Sequence, residues 1–272
     1  MIFPQVCSEK YQRWNKYWGA PFGYLYYKKF FKGCLLYYLQ RYQMLWYPHF
    51  LLKRLGLFSV QTNNSSTRIY EYPWAYFATP ISSSMKILEI GGGLSGFQFV
   101  LSTTGAKVMN IDPMEKKHNY NYSFKLFTLM NRMYHTDVRL HKGTIDSISL
   151  PDKTIDRVFC LSVLEHLGDR EINTIMKRSA QLLKPHGRMI CTVDLFLDLY
   201  PFSNRKKNKY GRNISIKKII YDSGLELYRG KRQELYGFDE FNHKHILGKL
   251  YSYYIAEQYP VLSQAFVLKK KE

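Results

Sequence analysis

Acidic residues are scarce in this chain. Its 272 residues carry 21 Asp and Glu against 40 Lys and Arg, for a formal net charge of +19. Between Lys10 and Tyr70 there is no acid at all. Cysteine is scarcer still. Cys7, Cys34, Cys160 and Cys191 share no paired spacing, which excludes a disulfide framework and reads as four reduced thiols. No three or four His, Cys, Asp or Glu stand at ligand spacing, so no metal site is expected. Long apolar runs are also missing. The most apolar window, 33–52, is broken by Gln40, Arg41, Gln43 and Pro48, whereas a bilayer span takes about 20 mostly apolar residues. The first nine residues lack the basic start and apolar core of a signal peptide. These absences lead to the expectation of a cytoplasmic protein without a transmembrane helix.

Apolar and aromatic residues are plentiful. Hydrophobic content is 46% and aromatic content 17%, with 24 Tyr and 17 Phe. That supplies a core for one large domain, or for one domain with an appendage. The charge is uneven. Residues 1–83 hold 10 Lys and Arg against 2 acids, residues 84–200 hold 15 against 12, and residues 201–272 hold 15 against 7. A nearly balanced centre is flanked by two basic regions.

The centre opens on Lys86-Ile87-Leu88-Glu89-Ile90-Gly91-Gly92-Gly93-Leu94-Ser95-Gly96. The apolar run reads as a buried parallel strand. The glycines read as the turn that ends it, since glycine takes positive φ at little cost and lets a ligand approach the backbone. A helix starting at Phe97 would aim its free N–H groups and positive dipole end at that turn. Gly91, Gly93 and Gly96 fit G-x-G-x-x-G. The strand Lys107–Asp112 then brings an acid to the distance at which ribose hydroxyls are held. Both features suit a dinucleotide as well as S-adenosylmethionine. Glu89 separates them. A carboxylate inside a strand is costly unless paired, and it repels a pyrophosphate. It attracts a sulfonium and an ammonium.

The order acid-x-Gly-x-Gly resembles the first motif of the class I S-adenosylmethionine-dependent methyltransferases, with Ser95 in the third glycine slot. The likeness continues in order. Lys142-Gly143-Thr144-Ile145-Asp146 stands where the family commonly has an acid after the glycine. Here Thr144 takes that slot, and the resemblance implies adenine recognition through the Thr144 hydroxyl and the Ile145 backbone. Ile155–Leu161 reads as the fourth strand, and Ser162-Val163-Leu164-Glu165-His166 resembles the fourth motif of the small-molecule branch. Lys184-Pro185-His186-Gly187 resembles the usual link into the fifth strand, 188–193. A Glu71-Tyr72-Pro73-Trp74 run before the glycines looks like a feature of some bacterial methyltransferases. The likeness covers about 84–195. It implies an α/β fold, a doubly wound, seven-stranded, mostly parallel Rossmann-like sheet. It also implies cofactor binding by Glu89, Gly91, Gly93, Asp112, Thr144, Ile145 and Ser162.

The remaining segments are read from local pattern. Residues 1–83 form a basic, aromatic-rich helical extension or lid, with amphipathic helices over 24–46 and a polar linker at 61–67. Pro73 is expected to end any helix at Tyr72. A helix over 114–133 crosses to a third strand at 137–141. Asp169 caps a helix over 170–183. Residues 199–221, acid-free and carrying seven Lys and Arg, form an insertion over the carboxyl edge of the sheet. A last strand runs over 264–268.

Methyl transfer is an in-line displacement that needs alignment and, for some acceptors, removal of one proton. Candidate bases are His166, on the fourth-motif turn, and His243 and His245. Leu161-Ser162-Val163-Leu164 lacks the Asn-Pro-Pro-Tyr of exocyclic amine methylation, and neither Cys160 nor Cys191 follows a proline, as a cytosine-methylating nucleophile would. The expected activity is methyl transfer at O or N to a small or lipid-linked acceptor, with the basic flanks serving an acidic acceptor or a peripheral membrane contact. The alternatives are an RNA methyltransferase, with nucleic acid as a less favoured partner, and a non-catalytic membrane-surface protein on the same fold.

Overall fold

A computed structural model describes residues 1–18, 67–93, 95–114, 127–128, 131–132, 135–256 and 259–271. The readings of 24–46, 33–52 and 61–66, and most of the crossover at 114–133, lie outside those residues.

Seven strands form one sheet in the order β3-β2-β1-β4-β5-β7-β6. They are β1 (Lys86–Ile90), β2 (Lys107–Asp112), β3 (Arg139–Lys142), β4 (Ile155–Leu161), β5 (Leu183–Phe196), β6 (Leu225–Arg229) and β7 (Val261–Lys270). β1 to β5 pair in parallel, and β7 runs antiparallel between β5 and β6. This is the mostly parallel, Rossmann-like sheet expected from the motifs. The direction of winding reverses between β1 and β4, the place where open α/β sheets hold ligands.

Both faces of the sheet are covered, and strand alternation sorts the side chains between them. Ile87, Phe159 and Leu161 join one apolar cluster with Phe3, Trp14, Trp74, Phe97 and Phe99. Leu88, Ile90, Val158 and Cys160 join the other, with Ile172, Met176, Ile216 and Ile219. The first face carries α1 (Glu9–Trp18), α2 (Arg68–Ala78) and α3 (Phe97–Ser102), and the second carries α4 (Asp169–Leu182) and α5 (Ile216–Ser223). A sixth helix, α6 (His243–Gly248), packs through Ile246 onto Leu195 and Leu262.

Two strand ranges shift, the third to Arg139–Lys142 and the last to Val261–Lys270. Four other local readings need correction. α2 does not stop at Tyr72 but runs through Pro73 to Ala78. A proline inside a helix leaves the carbonyl four residues back without its donor, here that of Ile69. Asn15 of α1 fills the gap, with its Nδ2 donating to Ile69 O at 2.8 Å. We expect Asn15→Ala to cost about 1 kcal/mol, the usual effect of losing one partly buried hydrogen bond. Pro73→Ala should then restore the loss by supplying an N–H. Thermal melts of the single and double variants check this, and an unchanged Asn15→Ala melt would sink it. The second correction is at α4, which starts at Asp169 with Gly168 as its cap, whose N–H donates to Glu171 Oε2 at 2.8 Å. Third, β5 reaches back to Leu183, which pairs with Ile155. Fourth, β6, an edge strand of five residues, escapes sequence reading because its length and mixed polarity give little signal.

Candidate active site

The end of β1 is a tight backbone turn. Gly91 has φ +70° and Gly93 φ +52°. The Gly91 N–H donates to Ile111 O at 2.8 Å, tying the turn to β2. The Gly92 N–H donates to Asn110 Oδ1 at 3.2 Å and the Gly93 N–H to Asp112 Oδ2 at 2.8 Å. The second Asp112 oxygen accepts from the Met114 N–H at 2.7 Å. Asp112 therefore braces the turn it was expected to complement, and each oxygen keeps a lone pair for another donor. A β-carbon on Gly92 would lie 2.8 Å from Glu89 Cδ and 3.0 Å from Asn110 Oδ1. The Glu89 side chain thus lies directly against the glycine backbone.

The end of β4 is the second wall. A β-carbon on Gly91 would lie 2.6 Å from Val163 Cγ2, so the two turns pack against each other. Ser162 has φ +50°, a left-handed conformation unusual for a residue with a side chain. Its hydroxyl donates to Glu71 Oε1 at 2.6 Å. The Ser263 hydroxyl donates to the same oxygen at 2.7 Å, and Arg68 pairs with the other.

Carboxylates crowd this edge of the sheet. Glu71, Glu89, Glu165 and Asp194 are all buried, and Glu89 Oε2, Glu165 Oε2 and Asp194 Oδ1 have no hydrogen-bond partner among the described residues. Burial, with Asp112 nearby, pushes the Glu89 carboxyl up to about 8, partly offset by Arg68. Burial likewise raises Glu165 to about 7. Asp194 is driven well above the usual carboxylate range by burial and by Glu165 and Glu71. Glu71 goes the other way. Burial opposes its charge, but Arg68 and the two serine hydroxyls outweigh it. The edge therefore holds more acid than its cation can neutralise, which suits a cationic ligand.

His166 stands at the rim. Its Nδ1 lies 2.5 Å from Tyr210 O. A carbonyl only accepts, so Nδ1 carries the proton and Nε2 keeps a lone pair. Partial desolvation lowers its pKa, which keeps the ring neutral, the state a base requires. The Tyr210 ring stacks on Tyr259 at 4.2 Å, and the Tyr259 hydroxyl donates to Asp194 Oδ2 at 3.3 Å. The loop after β5 thus lies against the Ser162–His166 turn. Arg212 reaches the Leu167 carbonyl and Asp169 from it.

The other candidates are more scattered. Ile145 is buried in a short 3-10 turn after β3, and Thr144 is exposed just before it. His243 and His245 lie on α6, where His243 meets the Phe202 ring edge and the His245 N–H donates to Asn242. Neither has a hydrogen bond to the Ser162–His166 turn among the described residues. Arg68, Glu71, Asn110, Asp194 and Tyr259 carried no role in the sequence reading. The signal for Glu71 was present: the one acid in a long acid-free stretch, set among aromatics, has to find partners. No group of His, Cys, Asp and Glu among the described residues could hold a metal ion. No helix among them is long and apolar enough to cross a membrane.

Residues 88–191 match a family model described as a methyltransferase domain. A ubiquinone biosynthesis O-methyltransferase of Bradyrhizobium diazoefficiens is 28% identical over 40% of this chain and 40% of its own length. The mitochondrial enzyme of the same name from Bos taurus is 31% identical over 41% of this chain and 29% of its own. The chain spans well under half the length of these curated relatives. Among solved structures, the 1,6-didemethyltoxoflavin-N1-methyltransferase of Burkholderia thailandensis, crystallised with 1,6-didemethyltoxoflavin and S-adenosylhomocysteine, superposes with a TM-score of 0.53. It is 14% identical, with 86% of this chain and 90% of that one covered, and shares the fold.

Proposed function

We propose that this chain, whose residues 88–191 match a methyltransferase domain, transfers a methyl group from S-adenosylmethionine to a small-molecule acceptor, at oxygen or nitrogen. The observation that carries the reading is Glu89. It is buried, one of its oxygens has no partner among the described residues, and it lies against the Gly92 backbone. A pyrophosphate would meet a carboxylate there, whereas the cofactor's cationic groups would relieve it. The cofactor brings an electrophilic methyl group on sulfur. The chain's residues do the rest. Gly91 and Gly93 leave room for close approach. Asp112 offers its remaining lone pairs to ribose hydroxyls. The Ile145 backbone and the Thr144 hydroxyl would receive the adenine.

On the acceptor side, His166 Nε2 takes the proton that an O–H or N–H acceptor loses. The names of the two curated relatives favour a hydroxyl acceptor. His243 and His245, the other candidate bases, lie on α6 with no hydrogen bond to the Ser162–His166 turn among the described residues, and no proton is routed through them. The basic stretch 199–221, whose Tyr210 and Arg212 backbones bond to His166 and Glu165, would draw an acidic or lipid-linked acceptor toward this edge.

Titration calorimetry with S-adenosylhomocysteine, with NAD as control, tests the cofactor. The wild type should bind the first and not the second, and a Glu89→Ala, Asp112→Ala double variant should lose binding. No binding to a folded wild-type chain would defeat the reading.

The Glu89 carboxyl adds a pH dependence. Its pKa rises from the usual 4.5 to about 8 on folding. Between those values the folded chain holds a proton that the unfolded chain releases. Stability of the free protein therefore falls as pH rises through that window. A cationic ligand reverses the shift, so affinity should rise with pH from about 6 to 8. At about pH 6.5, binding should release close to one proton, seen as an apparent enthalpy that varies with the ionisation enthalpy of the buffer. The same enthalpy in every buffer would refute the assignment.

A further inference from the structure

The run Arg68-Ile69-Tyr70-Glu71-Tyr72-Pro73-Trp74 precedes the glycine motif, and cofactor chemistry leaves it without a task. In the structure, its acid points inward to polar partners on two other segments. Glu71 is fully buried, and one of its oxygens accepts two hydroxyls from two different strands, Ser162 after β4 and Ser263 in β7. The other oxygen pairs with Arg68 one turn away on α2. A single carboxylate thus ties α2 to both strands.

The bond to Ser162 matters because of its backbone. At φ +50° Ser162 occupies a conformation that only glycine adopts freely. Held positions of this kind persist only where surrounding structure over-determines them. The Ser162 N–H is fixed to Thr192 O at 2.9 Å, and the hydroxyl is fixed to Glu71. The next residue, Val163, packs where a Gly91 β-carbon would stand, 2.6 Å from its Cγ2. Release of Ser162 into an ordinary conformation would redirect Val163 and shift the glycine turn it abuts.

We infer that Glu71, braced by Arg68, is a positioning residue that holds the Ser162 backbone in its left-handed conformation and through Val163 sets the shape of the cofactor-binding glycine turn. The inference rests on the cofactor reading above. It separates two contributions of Ser162 that a simple contact would merge. The hydroxyl serves Glu71, and the backbone shape serves the site. A glycine at 162 should therefore do what an alanine cannot.

The test measures S-adenosylhomocysteine affinity by calorimetry, with a thermal melt of each variant. Glu71→Ala and Ser162→Ala should each weaken binding about tenfold, the scale of one released strained residue. Adding Ser162→Gly to Glu71→Ala should recover most of that loss, because glycine holds the conformation unaided. Ser162→Gly alone should bind more tightly than Ser162→Ala. Met176→Ala, in the core cluster on the opposite face, is the stability control. It should lower the melting temperature and leave affinity unchanged.

Where Glu71→Ala does not fold, the order of the two Ser162 variants decides the matter. Equal losses at Ser162→Gly and Ser162→Ala would mean that the hydroxyl itself contacts the ligand, and would overturn the inference. So would wild-type affinity in Ser162→Ala. A wild-type chain that binds no S-adenosylhomocysteine overturns the cofactor reading and this inference together. A wild type that binds, with indifferent variants, overturns this inference alone.

Discussion

Gly91→Ala should reduce S-adenosylhomocysteine affinity on the order of 100-fold, the equivalent of about 3 kcal/mol from strain and overpacking together. Gly91 takes φ +70°, which an alanine adopts only at a cost. Its added methyl would also lie 2.6 Å from Val163 Cγ2 and 3.1 Å from Cγ1, closer than such atoms approach. Neither neighbour can yield easily. Val163 follows a residue held by two hydrogen bonds, and the Gly91 N–H is bonded to β2 at 2.8 Å. The damage should therefore fall on the turn rather than spread through the fold. Gly224→Ala is the matched control. Gly224 has φ +75° at the end of α5, and a β-carbon there meets nothing within 4 Å. It should cost some stability and no affinity. Calorimetry on both variants reads the result. Affinity within threefold of wild type for Gly91→Ala would remove the glycine turn from the binding site.

Phe159→Ala should produce the largest loss of stability, about 3–5 kcal/mol. Phe159 lies in β4, fully buried, with its ring edge on Phe97 at 5.4 Å and 73°. Phe97 in turn stacks on Tyr72 at 5.0 Å and leans on Trp14 at 6.5 Å. One ring therefore keys three helices to the sheet. Truncation leaves a cavity that rigid aromatic neighbours cannot close. For a chain of this size the melting temperature should drop by roughly 10 °C. Phe159 also pairs in register with Glu89 across β1 and β4, so the loss should loosen the site as well as the core. A drop under about 2 °C would mean that the helices hold to the sheet without it.

Much of the fold can be read along the chain. The bounds of β1, β2 and β4 agree with their apolar runs and closing turns. Glycine spacing, an apolar run and a following helix start are local properties, and local backbone conformation depends on neighbours in sequence. Elements that failed this reading depend on distant partners. α2 continues through Pro73 with its orphaned carbonyl met by Asn15, far away in sequence, and its rings buried against the sheet. β6 exists because β7 offers an antiparallel edge.

The site divides along the same line. Glu89, Gly91, Gly93 and Asp112 stand out from the sequence alone, since they follow one strand end and the next at set distances. The sequence by itself determined that an acid stands inside β1, that glycines follow it and that a second acid ends β2. Tertiary structure decided which other acids matter. Glu71, Glu165 and Asp194 come from three separate segments, and only packing removes them from water and brings them to one sheet edge beside Arg68. Desolvation and charge crowding depend on distance in space. No pattern in the sequence encodes those distances, so the bond between Glu71 and Ser162 and the raised carboxyls around it appear only once the chain is folded.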